Sequence, residues 1–215
     1  VSTAVYEFNS NMREVLGNTK KGKKIIQDIV ETVKQNDGFN NIENNLFRIV
    51  NQLEIVGYEK RIPDAIIYVN GLPLVVLEFK SAVKENTTIK DAFDQLTIRY
   101  RRDIPELFKY NILCVISDGV NNKAGSLFAP YDFFYSWRKI EGNEPLDKDG
   151  IDSLFTMVKG LFNQRRFLDV VQHFVYFPDT STKEEKIVPR YPQYYAANKL
   201  LESIKRNMKP HGTGK

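Results

Sequence analysis

Asp64, Glu78 and Lys80 are residues of this 215-residue chain whose types and spacing could do chemistry together. They lie in "RIPDAIIYVNGLPLVVLEFKSA", residues 61–82, where two apolar runs flank Asn70-Gly71. Asn-Gly between apolar runs is a hairpin signal, yet a buried hairpin should carry no charge. Here an acid opens the first run, and an acid and an amine close the second. Residues 78 and 80 point to one face of a strand, so carboxylate and amine sit side by side. An ion pair at a fraying strand end would give the same pattern. With Asp64 added, two carboxylates make a site for a hard divalent ion such as Mg²⁺. Such an ion polarises a phosphodiester and lowers the pKa of its bound water. A neighbouring lysine neutralises charge developing on the phosphate. Together these are a minimal kit for metal-dependent phosphodiester hydrolysis.

Strand parity sets a condition on that kit. A two-residue turn at Asn70-Gly71 pairs Val69 with Leu72 and, between regular strands, Asp64 with Leu77. Asp64 and Glu78 then point to opposite faces. An odd loop closing in a bulge, or a bulge elsewhere in the hairpin, brings Asp64, Glu78 and Lys80 to one face. A second Glu-x-Lys, Glu184 to Lys186 in "TSTKEEK", reads as a solvated loop.

The surrounding elements must position these groups. Residues 20–34 have apolar positions at helical spacing, Ile25, Ile26, Ile29, Val30 and Val33. "FRIVNQLEIVG" alternates Phe47, Ile49, Asn51, Leu53 and Ile55 as one strand. Residues 87–102 form a second helix with a threonine cap and an apolar stripe of Ile89, Ala92, Phe93, Leu96 and Tyr100. "NILCVISDG", 111–119, reads as a strand buried on both faces. The aromatics of "GSLFAPYDFFYSWRKI" cover a sheet edge or core. Beyond Gly142 the texture becomes helical, broken by the connector "PDTSTKEEKIVPRYPQ" before a last helix, "YYAANKLLESIKRNM". The order helix–strand–strand–strand–helix–strand, followed by helices, predicts an α/β fold with a mixed sheet flanked by helices. Residues 1–142 form one unit and 143–215 a helical appendage.

Composition agrees with a soluble globular chain. A net charge of +4 and a pI near 9.0 permit a nucleic-acid partner without requiring one. The single cysteine, Cys114, reads as a buried core thiol in a reducing, cytoplasmic setting. No signal peptide or membrane span is visible. A start at "VSTAVYEF" without Met and an end at "KPHGTGK" predict a piece of something larger. Histidine chemistry is not expected, because His173 sits in "VVQHFVYF" and His211 near the terminus.

"PDAIIYVNGLPLVVLEFKS" resembles the PD-(D/E)XK nuclease motif, Pro63-Asp64 followed by Glu78-x-Lys80. The longer pattern from "NNLFRIVNQLEI" through "DIPELFKYNILCVISDG" resembles the N-terminal part of the restriction subunit of type I restriction–modification enzymes. The resemblance implies an αβββαβ restriction-endonuclease-like core, Mg²⁺-dependent cleavage of double-stranded DNA, and an ATP-driven translocase in the same polypeptide. It also implies methyltransferase and specificity subunits as partners. By position, Asp64 and Glu78 would hold metal and Lys80 would be the catalytic amine.

The family's Gln-x-x-x-Tyr element matches at Gln95, but Arg99 stands where Tyr is expected and Tyr100 follows one residue later. On an ideal helix Tyr100 falls under Leu96, so core packing is its expected role unless the helix is distorted. Arg99, Arg101 and Arg102, with Tyr100, form the candidate DNA-contacting set. "RYPQYYAANKL" resembles the glutamine motif of superfamily-two helicases, which implies that Gln193 reads an adenine edge in the full-length protein. A phosphate loop is absent, and "GTGK" at 212–215 reads as a connector into a motor, so this piece should not bind or hydrolyse ATP. The isolated piece is expected to cut plasmid poorly. The rival readings are a catalytically silent nuclease-like module that docks or binds DNA, and another PD-(D/E)XK enzyme such as a recombination exonuclease.

Overall fold

A computed structural model describes residues 19–80, 88–145, 151–178 and 185–208. Its centre is a five-stranded mixed sheet in the order β1-β4-β5-β6-β7. The strands are β1 (Phe47–Asn51), β4 (Ala65–Val69), β5 (Leu72–Phe79), β6 (Leu113–Ser117) and β7 (Asn122–Gly125). β5 and β6 run parallel, and the other neighbours are antiparallel. A separate two-stranded ribbon pairs β2 (Ile55–Val56) with β3 (Lys60–Arg61). Helix α1 (Thr19–Gln35) precedes the sheet. Helix α2 (Ile89–Asp94) crosses from β5 to β6, which a parallel pair requires. Helices α3 (Ile151–Gly160), α4 (Gln164–His173) and α5 (Tyr191–Asn207) follow. The expected αβββαβ order is therefore present, with β7 as an edge strand that the sequence pattern did not announce.

The sheet separates two apolar cores. Ala65, Ile67, Val69, Val75, Leu77, Leu113 and Val115 face one core with Ile29 and Val33 of α1, Met157, Phe167, Val170 and Tyr194. Residues from both sides of Gly142 thus share that core. Ile66, Val76, Cys114 and Ile116 face the other, covered by Ala92, Leu96, Tyr100 and Phe108. β6 is buried along its whole length, as its unbroken apolar run predicts, and the Cys114 thiol is fully enclosed.

Two expectations fail here. The single strand over 47–55 is broken: β1 ends at Asn51, Gln52 takes a left-handed φ of 50°, and the chain leaves the sheet to build the ribbon. Ile49 is 70 % exposed on the edge strand β1, although its cross-strand partner Ile67 is buried in the first core. Lys186 does not sit in a solvated loop. It is buried and its Nζ donates to the Asn111 carbonyl oxygen. The neighbouring Glu184, Ser81 and Ala82 just past the hairpin, His211 and the "GTGK" tail lie outside the described residues. Among the described residues no helix is long and apolar enough to cross a membrane.

The hairpin resolves the parity condition. Asn70 and Gly71 have φ of 51° and 85°, a two-residue turn with both central residues left-handed. Val69 pairs with Leu72 and Tyr68 with Pro73, but Ile67 then pairs with Val75. Leu74 is the extra residue of a β-bulge. Leu74 and Val75, adjacent in sequence, both enter the same core and are fully buried. Burying such a side chain stabilises by roughly 1.5–3 kcal/mol, against about 1 kcal/mol for a ladder hydrogen bond. Packing therefore selects the bulge over a regular ladder.

Candidate active site

Past the bulge Ala65 pairs with Leu77, so Asp64 stands opposite Glu78 on the face shared by Ile66 and Val76. That is the face α2 covers. The strand run ends at these residues, where backbone gives way from core to rim. Asp64 Oδ2 accepts from the Phe79 backbone N–H at 2.7 Å, which ties the two strands together at the site. Its other oxygen accepts from Gln52 Nε2 at 2.8 Å. Gln52 is a contact of the candidate site that sequence reasoning missed. Its left-handed φ turns its amide back toward Asp64, and nothing in its local pattern signals that.

Glu78 is 2 % exposed. Lys80 Nζ donates to Glu78 Oε1 at 2.7 Å and to Gln95 Oε1 at 2.7 Å. Gln95 Nε2 donates to the Tyr100 hydroxyl at 2.6 Å. That hydroxyl lies 3.0 Å from Glu78 Oε2 and 3.2 Å from the Ile62 carbonyl oxygen. A phenol has one proton to give, and the charged, nearer carboxylate is the better acceptor. Glu78, Lys80, Gln95 and Tyr100 thus close a ring of hydrogen bonds. Burial pushes the Glu78 carboxyl above its ordinary range and the Asp64 charge adds to it, while Lys80 and Tyr100 pull it down. Burial, then the Glu78 charge, pushes the Tyr100 phenol up.

The ring depends on a distortion in the helix. α2 is opened by a capping interaction, in which the Asp91 carboxylate accepts from Thr88 N at 2.6 Å and Thr88 Oγ1 at 3.0 Å. From Gln95 to Tyr100 the helix becomes a π-helix, then closes with an α-helical turn at Arg101–Asp103. Hydrogen bonding from i to i+5 widens the turn, so residues five apart come to one side. The extra residue between Gln95 and Tyr100 is absorbed as this bulge. Tyr100 consequently does two things: its ring is buried beside Leu96, and its hydroxyl joins the site. At 2 % exposure it offers little surface of its own, and it meets Arg99 and Arg102 only at the wall of a shared cleft.

The remaining candidates are scattered. Arg99 and Arg102 line a cleft that Gln95 and Tyr100 also line. Arg101 turns away, its guanidinium 4.9 Å from the centre of the Phe128 ring. Gln193 sits in the first turn of α5, where its Oε1 accepts from the Arg190 backbone N–H at 2.9 Å.

Asp64 and Glu78 are the oxygen donors that would hold a divalent ion. Among the described residues no group of three or more His, Cys, Asp or Glu could hold a metal ion, so any ion here would rest on two carboxylates and on water. Mg²⁺ binds through one or two carboxylates while keeping several waters. The buried Glu78 carboxylate, crowded by Asp64, is a charge that a cation would relieve.

Comparison with known proteins adds an independent line. The family model for the N terminus of the type I restriction enzyme R protein matches residues 3–133. The chain is 39% identical over 178 residues to the type I restriction enzyme HindI endonuclease subunit of Haemophilus influenzae, covering 81% of this chain and 17% of that one. It is 30% identical to a putative type I restriction enzyme MjaIXP endonuclease subunit of Methanocaldococcus jannaschii, over 76% of this chain and 17% of the relative. It is also 30% identical to the EcoprrI endonuclease subunit of Escherichia coli, over 88% of this chain and 62% of that one. The chain therefore spans less than a fifth of the length of the first two relatives.

Proposed function

The chain belongs to the family of type I restriction enzyme R protein N termini, and from that premise we propose that it is a nuclease domain cutting double-stranded DNA. In the whole protein it would act beside an ATP-driven motor, into which the helical segment from residue 143 leads, and with methyltransferase and specificity subunits. The observation that carries the reading is the ring joining Glu78, Lys80, Gln95 and Tyr100 beside Asp64.

Asp64 and Glu78 would hold Mg²⁺, which when bound would polarise the scissile phosphodiester and make its water a better nucleophile. The chain's own contribution is mainly placement. Asp64 is fixed by a backbone N–H and by Gln52, so its carboxylate cannot swing into the core. Tyr100 orients Glu78 through Oε2. Lys80 spends two of its three N–H donors on Glu78 and Gln95, which leaves the third for an oxygen of the substrate. There its charge would offset the negative charge that develops on the phosphate in the transition state.

Replacing Glu78 or Lys80 by Ala in the full-length restriction subunit tests this. DNA cleavage by the assembled complex should disappear while DNA-stimulated ATPase activity stays. Cleavage at the unaltered rate by either variant sinks the assignment. The 215-residue chain by itself should cut plasmid poorly.

A further inference from the structure

Beside the proposed site lies a cleft of about 460 Å³, lined by Lys60, Arg61, Arg99 and Arg102 together with Gln95 and Tyr100. Four cations line its wall and no carboxylate does. Two of them, Lys60 and Arg61, come from β3, an element to which the sequence assigned no role. Gln95 and Tyr100 belong to the cleft and to the ring around Glu78 and Lys80 at once. Whatever fills the cleft is therefore adjacent to the reacting groups.

The cleft is built around Asp103, which is 2 % exposed. Its Oδ2 lies 2.7 Å from Arg61 Nε and 2.6 Å from Arg61 Nη2. Its Oδ1 accepts from Arg102 Nε at 2.6 Å, and Arg102 Nη2 lies 3.1 Å from Oδ2. One buried acid thus holds two guanidiniums side by side. The Asp103 backbone holds the ribbon as well, since its carbonyl oxygen accepts from Tyr58 N at 2.8 Å. Gly57 approaches so closely that a Cβ there would come within 2.4 Å of that oxygen. Ribbon and helix are fastened together at this residue, by side chain and backbone.

A guanidinium has five N–H donors. Arg61 directs Nε and Nη2 to Asp103 and gives one Nη1 hydrogen to the Lys60 carbonyl oxygen at 2.9 Å. Arg102 directs Nε and Nη2 to Asp103. Both keep outward donors, and both side chains remain partly exposed, 30% for Arg61 and 48% for Arg102. Two ordered forks with one acid between them retain a net positive charge. Their ordering also lowers the rotamer entropy that flexible arginines would lose on binding.

We propose that this cleft seats a backbone phosphate of DNA flanking the scissile one, and that Asp103 is a positioning residue that sets Arg61 and Arg102 to grip it. The proposal rests on the nuclease reading above. The bidentate fork suits phosphate oxygens better than a lysine does, and a phosphate grip here would hold the strand against Lys80 and Glu78.

The test is the affinity of the 215-residue chain for a short labelled duplex, measured by fluorescence anisotropy across a salt series without divalent ions. Arg61→Gln and Arg102→Gln should each weaken binding severalfold and lower the slope of log Kd against log salt by about 1. Asp103→Asn discriminates grip from bulk charge. It removes one negative charge from beneath the cleft, so charge alone predicts tighter binding, whereas loss of positioning predicts weaker binding. Arg61→Lys keeps the charge and removes the fork, and should also weaken binding. Circular dichroism establishes that each variant is folded. Should Asp103→Asn melt, Arg61→Lys decides. Unchanged or tighter binding by folded Asp103→Asn, or wild-type binding by Arg61→Lys, overturns the grip. Failure of the unaltered chain to bind duplex at low salt overturns the nuclease reading beneath it.

Discussion

Replacing Tyr100 by Phe keeps the buried ring and deletes one oxygen. That oxygen is 3.0 Å from Glu78 Oε2 and receives Gln95 Nε2 at 2.6 Å. A hydrogen bond to a charged partner contributes about 1.5–3 kcal/mol, and a buried donor left without its acceptor costs about 1–3 kcal/mol. Phe recovers part of this, because no hydroxyl need then be buried. A net loss of about 1–3 kcal/mol follows, and for a chain of this length each kcal/mol lowers Tm by roughly 2–4 °C. Gln95, freed from Tyr100, no longer fixes Lys80, and loss of such an outer partner lowers activity by about 10–100-fold. The pH profile carries the sharper signature. Tyr100 helps hold the Glu78 carboxyl down, so its loss raises that carboxyl further. Glu78 must be ionised to bind a cation, so the acid limb of cleavage shifts to higher pH. The assay is plasmid cleavage by the assembled complex over a pH series, with thermal unfolding of the 215-residue chain beside it. If Tyr100→Phe cleaves like wild type with an unmoved acid limb, Tyr100 is a packing residue and the ring has no role.

Other outcomes are equally open to measurement. Burial and Asp64 hold the Glu78 carboxyl above its ordinary 4.5, so its contribution to stability is full below that pH and is lost as pH rises through the folded value. Glu78→Gln should gain in Tm over wild type as pH climbs from 4.5 toward neutrality; a constant difference refutes this. Added Mg²⁺ should raise the Tm of wild type and leave that of Glu78→Gln unmoved, which differential scanning fluorimetry reads directly. Lys186 is buried and its amine is held down at about 8 from an ordinary 10.5. Its contribution is therefore full above 10.5 and lost as pH falls through about 8. Lys186→Met should gain on wild type as pH is lowered across that window, and parallel Tm curves would contradict it. Burial pushes the Cys114 thiol up to about 12, so a thiol reagent at mildly alkaline pH should label it only after unfolding. Rapid labelling of the native chain would show that strand β6 is not sealed.

Much of the fold and of the site was legible from local pattern, because local pattern is what the backbone reads first. The unbroken apolar run of β6, the Asn70-Gly71 turn and the apolar stripe of α2 each report burial or turn geometry directly. Asp64, Glu78 and Lys80 stood out because charge at the end of an apolar hairpin needs a reason. Gln52, Lys60, Arg61 and Asp103 did not stand out. Their roles arise from residues distant in sequence, 12 positions for Gln52 with Asp64 and 42 for Arg61 with Asp103. Gly57 offers no local signal either, since its need for glycine comes from the approach of the Asp103 carbonyl oxygen. Lys186 was misread for the same reason: its polar neighbours imply water, and only the sheet's far end buries its amine against Asn111.

By itself, then, the sequence determined the mixed sheet with its flanking helices and the identity of the acids and amine at the hairpin's end. It also fixed the requirement that a plain hairpin could not bring them together. Only the tertiary structure decided how that requirement was met. Leu74 bulges because two adjacent aliphatic side chains gain more from entering one core than a regular ladder returns. The helix widens between Gln95 and Tyr100, which brings a buried phenol to a buried carboxylate and to the Gln95 amide. Both are one-residue shifts of the backbone, and the packing on the two sheet faces decides them.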